Sequence, residues 1–205
     1  MRSKGVWAIL VVLLILFSDQ FLKIWIKTHL PLGESGDVKI AGWFIIRFVE
    51  NPGMAMGIEV VNKLFLSLFR MGASLGIAWY IVRLIKRDYD VGYIVCCSMI
   101  FAGAVGNIID SVFYGVIFSE STPYTVATLF PADGGYATWL HGKVVDMFYF
   151  PLFEFQFPDW IPFVGGNDFV FFQYIFNLAD ASITTGIAIL ILFYNKTFAK
   201  SFEKQ

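Results

Sequence analysis

The chain has 205 residues, of which 58% are hydrophobic and 15% charged, and its mean hydropathy is +0.68. Soluble domains average roughly 45–50% apolar and 25% charged residues, so this composition excludes an ordinary water-soluble domain and predicts one polytopic membrane domain over residues 1–205. A net charge of −1 offers no basic surface for nucleic acid. Cys96 and Cys97 are adjacent in an apolar run, which suits neither a disulfide framework nor a metal site. With only His29 and His141 and no HExxH pair, zinc-protease chemistry is excluded too, and neither metal nor cofactor is expected.

In chain order, Arg2 and Lys4 precede a first apolar span over about 6–26, read as a retained helix rather than a cleaved signal. Asp19 and Lys23 sit near its outer end in the acid-before-base spacing of a helical ion pair. An outer loop, 30–63, follows. Val38–Ile40 and Phe44–Val49 predict short strands. The run Glu50-Asn51-Pro52-Gly53-Met54-Ala55-Met56-Gly57 predicts a tight turn whose backbone can approach a ligand. A second span, 64–84, contains Arg70 and the GxSxG-like Gly72-Ala73-Ser74-Leu75-Gly76. A nucleophile elbow needs a strand-turn-helix and a His partner, so the glycines read as a helix-packing face instead. A basic hinge, Arg83/Lys86/Arg87, leads to a third span, 91–109, ending in Asn107-Ile108-Ile109-Asp110.

The outer loop 111–168 is rich in aromatics, Pro and Gly and carries Gly142-Lys143-Val144-Val145-Asp146. Its Phe- and Trp-rich part, 150–172, predicts an interfacial belt. A fourth span, 170–194, carries Phe176-Asn177-Leu178-Ala179-Asp180, and a tail with Lys196, Lys200 and Lys204 ends the chain. An Asp at membrane depth costs about 2.5–3.5 kcal/mol, and intramembrane ionisable groups are usually functional.

Basic residues near span ends put both termini in the cytoplasm. Asp19, Asn51, Asp110, Asp146 and Asp180 then gather toward the outer face. Two close carboxylates share a proton, so one can activate water while the other protonates a carbonyl oxygen. Spacing alone leaves Asp110, Asp146 and Asp180 all eligible for such a pair. The rival reading is a small proton- or ion-coupled transporter, which also uses intramembrane acids, although no internal repeat is visible. A non-catalytic scaffold with a polar packing core would explain the Asn-x-x-Asp pairs but not Asp146.

Five segments together resemble the lipoprotein signal peptidases, the bacterial signal peptidase II family: Asp19-Gln20 with Lys23; Asn51-Pro52-Gly53-Met54-Ala55-Met56-Gly57; Gly106-Asn107-Ile108-Ile109-Asp110; Gly142 to Asp146; and Phe176 to Asp180. The resemblance implies an all-α fold of four transmembrane helices, with a small extracytoplasmic β-cradle at about 38–50 and an aromatic-rich outer loop or lid. It implies a monomeric enzyme of the bacterial inner membrane. Such an enzyme removes signal peptides from diacylglyceryl-modified prolipoproteins at the lipid boundary, before the lipidated cysteine. It implies that Asp146 and Asp180 are the catalytic dyad. Asp19, Lys23, Asn51, Gly53, Asn107, Asp110 and Asn177 would shape and polarise the site. Three features depart from the family pattern. Ser111 stands where an Arg is usual, Met56 replaces a frequent aromatic, and 111–141 is longer than in compact members.

Overall fold

The computed structural model describes residues 2–53 and 63–202. Three helices dominate: α1 (Arg2–His29), α2 (Lys63–Lys86) and α3 (Val91–Ile109). α3 runs on through a π-helical turn, Asp110–Tyr114, and a short α4 (Gly115–Ile117). α5 (Leu178–Phe193) and α6 (Asn195–Phe202) close the chain. α3 is central and packs against α1, α2 and α5. It allows this because its inner face is small: a Cβ on Gly103 would overlap the Ala179 carbonyl, so α5 approaches closely there. Outward, α1 shows Leu13, Leu14 and Phe17, and α2 shows Leu75, Trp79 and Val82. A water-soluble helix would bury such side chains; a lipid-facing one exposes them.

Among the described residues, Ser3–His29, Lys63–Lys86 and Val91–Ile117 are long and apolar enough to cross a membrane. The pair Leu178–Phe193 and Asn195–Ser201 qualifies as a fourth only if a 91° bend is counted within one span.

Among the described residues, six strands form two sheets. β1 (Val38–Ala41), β2 (Phe44–Asn51), β3 (Val144–Tyr149) and β6 (Ile175–Phe176) make an antiparallel sheet in the order β1-β2-β3-β6. β4 (Phe153–Gln156) and β5 (Asp168–Phe171) pair separately as a hairpin. In the larger sheet Asn51 pairs with Val144, Glu50 with Val145 and Val49 with Asp146. The core beneath it comprises Ile26, Phe48, Tyr114, Phe118, Ala127, Val145 and Met147.

Several sequence expectations are corrected. The first helix extends three residues past the expected end at 26, which brings Lys27 into it. The third helix ends at Ile109, as expected, but its span continues through the π-helical turn and α4 to Ile117. The expected helical span 170–194 begins only at Leu178, because Asp168–Phe171 and Ile175–Phe176 are strands. An aromatic-rich apolar run suits either element, and here sheet pairing prevails. The cradle likewise draws strands from beyond 38–50. Residues 111–143 are ordered by backbone hydrogen bonds, such as Tyr136 to Phe118 and Ala137 to Gly115. Among the described residues, Gly72 and Gly76 form no packing face, since a Cβ on either would meet nothing within 4 Å. Met54 to Gly57 of the second motif, and Lys204 of the tail, lie outside the described residues.

Candidate active site

The site is assembled at helix ends. α1 presents Asp19, Gln20 and Lys23 toward α3. The Lys23 ammonium is fully buried and donates to Asp19 Oδ2, Asp110 Oδ2 and Asn107 Oδ1, each at 2.9 Å. Gln20 Nε2 donates to Asp110 Oδ1 at 3.0 Å, Asp19 Oδ2 at 3.1 Å and the Gly106 carbonyl at 3.2 Å. Its own carbonyl accepts the Tyr114 hydroxyl at 3.1 Å.

Burying two carboxylates and an ammonium costs several kcal/mol per ion unless their hydrogen bonds are satisfied. Here every carboxylate oxygen has a donor. Asp19 Oδ1 accepts the Ala179 amide at 3.0 Å, and Asp110 Oδ2 accepts the Val145 amide at 3.2 Å. Those two amides immediately precede Asp180 and Asp146. The buried cluster therefore fixes α5 and β3 at the residues next to the two acids.

Asp146 lies on β3 and is 4% exposed. Asp180 opens α5, where Asn177 is the N-cap: Asn177 Oδ1 accepts the Asp180 amide at 2.8 Å and Asp180 Oδ2 accepts the Asn177 amide at 3.4 Å. This is a capping box with Asp at its third helical position. The same side chains join the acids. Asn177 Nδ2 donates to Asp146 Oδ1 at 2.7 Å and to Asn107 Oδ1 at 3.1 Å, and Asn107 Nδ2 donates to Asp180 Oδ1 at 2.8 Å. Desolvation pushes the Asp146 carboxyl up to about 7, and the negative charge of Asp180 adds to the rise. Hydrogen bonds from Asn177 and Asn51 and the charge of Lys23 oppose it. A carboxyl held near 7 exchanges protons readily at neutral pH, as a general acid or base requires.

A cleft of about 230 Å³ opens onto this relay, lined by Phe69, Arg70, Ala73, Ser74, Ala104, Asn107, Asp180 and Ile183. Arg70 also borders the adjoining recess formed by Asn51, Gly53, Ser111 and Val144. Its charge reaches Asp180, Asp146 and Asp110. Ser111 instead turns its hydroxyl back to the Asn107 carbonyl, 3.0 Å away. Ser74, from the GxSxG-like run, lines the cleft with a hydroxyl lacking a partner among the described residues. No histidine lines it with Ser74; His29 bonds Trp25 and His141 bonds Trp139. Larger grooves of about 410 and 330 Å³ run between apolar helix faces and are lined by neither acid nor base.

Residues 11–196 match the family of signal peptidase (SPase) II. The chain belongs to the signal peptidase II family. The lipoprotein signal peptidase of Porphyromonas gingivalis is 53% identical over 197 residues, covering 96% of this chain and 85% of that protein. The lipoprotein signal peptidase of Amoebophilus asiaticus is 36% identical over 196 residues, covering 93% and 78%. Among solved structures, a bacterial membrane enzyme determined by the in meso method at 2.3 Å matches with a TM-score of 0.62, covering 97% of this chain and 93% of that one at 23% identity. A second, at 1.9 Å, matches with a TM-score of 0.57 at 26% identity, covering 90% of each. Signal peptidase II membership and the apolar helices make this an integral membrane protein of the protease class.

The structure brings Asp19, Lys23, Asn107, Asp110, Asn177, Asp146 and Asp180 into one hydrogen-bonded network. Asn51 adjoins it, with Oδ1 accepting the Gly53 amide at 2.8 Å. Gly53 has φ of +105°, and a Cβ there would come within 2.7 Å of Leu66. Sequence reasoning gave no separate role to Gln20 or Tyr114. Tyr114 follows Asp110 by four residues, a spacing that places both on one helical face.

Proposed function

We propose that this enzyme removes the signal peptide from diacylglyceryl-modified prolipoproteins, with Asp146 and Asp180 as a proton-sharing pair. The observation that carries the reading is the relay Asp146–Asn177–Asn107–Asp180, which gives each acid its own amide donor beside a cleft. One carboxylate takes a proton from water as its oxygen attacks the scissile carbonyl, and the protonated partner donates to the carbonyl oxygen. Collapse of the tetrahedral adduct breaks the C–N bond. The proton then passes to the departing amine of the lipidated cysteine. The dyad titrates as a unit, active with one proton and silent with none.

In the same reading Arg70 holds a substrate carbonyl, since its guanidinium borders both the acid-lined cleft and the Asn51 recess. Both termini lie in the cytoplasm, with α5 and α6 as the fourth, broken span. Lys4, which bonds Asp88 and the Tyr89 carbonyl, marks the cytoplasmic end, and the acids lie at the other. The β4–β5 hairpin, with Phe153, Phe155, Trp160 and Phe163 exposed, rests at headgroup level and serves as the lid.

The test is cleavage of a prolipoprotein reporter with and without its diacylglyceryl group. Asp146→Asn and Asp180→Asn should each insert normally and lose cleavage by more than about a thousandfold. Near-normal cleavage by either variant would end the dyad assignment.

A further inference from the structure

A second buried charge cluster lies outside the relay. Lys27, in the last turn of α1, is fully buried and pairs with Glu50 Oε1 at the end of β2. Its ammonium also donates to Ser121 Oγ at 2.8 Å. It lies over the rings of Tyr136, Phe118 and Phe48, at 4.9, 5.4 and 5.6 Å from their centroids. The other Glu50 oxygen takes Lys143 Nζ at 2.9 Å. Lys143 is tied to the same wall, its backbone amide donating to the Tyr136 hydroxyl at 2.7 Å. Thus Phe118, Ser121 and Tyr136, all from the long segment 111–141, complete a pocket around one carboxylate and two cations. That carboxylate precedes Asn51. Asn51 pairs across the sheet with Val144, two residues from Asp146 and on the same sheet face. Its Oδ1 accepts the Gly53 amide, and its side chain hydrogen-bonds Asp146.

We propose that Glu50, clamped by Lys27 and Lys143 within the aromatic pocket of residues 118–143, is a positioning residue that holds the Asn51 amide on Asp146. The long segment is then part of the enzyme's working frame. The inference rests on the dyad reading. A carboxylate held at both oxygens cannot swing, so the last residue of β2 keeps its register against β3. Asp146 is faced by Asp180 from α5, Lys23 from α1 and Arg70 from α2, besides the amides of Asn177 and Asn51. Of these, Asn51 is the one the clamp holds. Losing its hydrogen bond leaves the protonated acid favoured and moves the alkaline limb of the pH–rate profile upward.

The experiment uses the full-length enzyme in detergent with the lipidated reporter. It measures kcat, KM, pH–rate profile and melting point for Lys143→Met, Lys143→Arg, Glu50→Gln and Asp146→Asn. Lys143 is one-third exposed, so its Met variant folds even if Glu50→Gln does not. Lys143→Met is expected to lower kcat about fivefold with KM within about twofold, and to shift the alkaline limb up by about half a pH unit. Lys143→Arg, which keeps a cation on Glu50, should restore both. An unchanged kcat and profile in folded Lys143→Met, with Asp146→Asn inactive, overturns the clamp and leaves the dyad standing. Activity in Asp146→Asn overturns the dyad and the clamp with it.

Discussion

Asp146→Asn should make the protein inactive yet more stable at neutral pH. The folded-state carboxyl titrates at about 7, above the unfolded value near 4. A group whose folded value is raised binds its proton more tightly when folded. It therefore lowers stability progressively as pH climbs from about 4 to about 7, and by a constant amount beyond. That amount is about 4 kcal/mol at 1.36 kcal/mol for each tenfold step. Asn carries no charge and removes this loss. It also offers one acceptor oxygen where Asn177 and Asn51 both donate, an unmade bond costing about 1–2 kcal/mol. The net expectation is a gain of about 2–3 kcal/mol at pH 8 and a loss of about 1–2 kcal/mol at pH 4. At about 2–4 °C per kcal/mol for a chain of this size, the melting point rises by roughly 5–10 °C at pH 8. Thermal melts followed by fluorescence of the six tryptophans, from pH 4 to 8.5, measure it directly. A variant-to-wild-type difference that does not change sign with pH would refute the account of why Asp146 is perturbed.

Two further outcomes separate packing from chemistry. Arg70→Met should reduce kcat/KM about tenfold or more, with Arg70→Lys intermediate because an ammonium cannot make paired planar hydrogen bonds, and neither should move the melting point by more than a few degrees. A reporter series read for KM and kcat separately checks it, and an unaltered kcat/KM would remove Arg70 from the substrate site. Gly103→Val should prevent accumulation of folded protein, since its side chain would press on the Ala179 carbonyl, whereas Gly72→Ala should be neutral or gain up to about 1 kcal/mol. Expression level and melting point in detergent compare the two.

The acids were legible because charge is conspicuous in an apolar sequence. Asp19, Asp110 and Asp180 each interrupt a run that otherwise favours lipid, and Asp146 follows two valines in a strand. The Asn-x-x-Asp spacing corresponds to different local structures in its two occurrences. In α5 it is a capping box, with Asn177 outside the helix. In α3 it straddles the helix end, with Asn107 in the last turn and Asp110 the first residue of the π-helical turn. Element boundaries were harder. Residues 168–176 are aromatic and β-branched enough for a strand and apolar enough for a span, and periodicity cannot choose between them. Only the pairing of Ile175 with Tyr149 and of Phe148 with Phe176 decides the matter.

Lys27 marks the limit of local reading most clearly. It follows Lys23 by four residues, so a helix reaching His29 puts both ammonium groups toward the protein interior. Ending the helix at 26 hid that. Its partners, Glu50, Ser121 and Tyr136, come from three separate stretches, and no spacing rule joins them. The two buried lysines nonetheless obey one physical rule. Each pairs with a carboxylate from another element, Asp110 for Lys23 and Glu50 for Lys27, and each ties α1 to the backbone next to a residue of the relay: Lys23 through Asp110 and its own helix's Asp19 to Val145 and Ala179, Lys27 through Glu50 to Asn51. Buried ion pairs contribute little net stability against apolar replacements of the same shape, but breaking one partner is costly. A site built from three helix ends and two strand ends gains from that asymmetry, because displacing any one element strands a charge, and the relay atoms are held in register by what misplacement would cost.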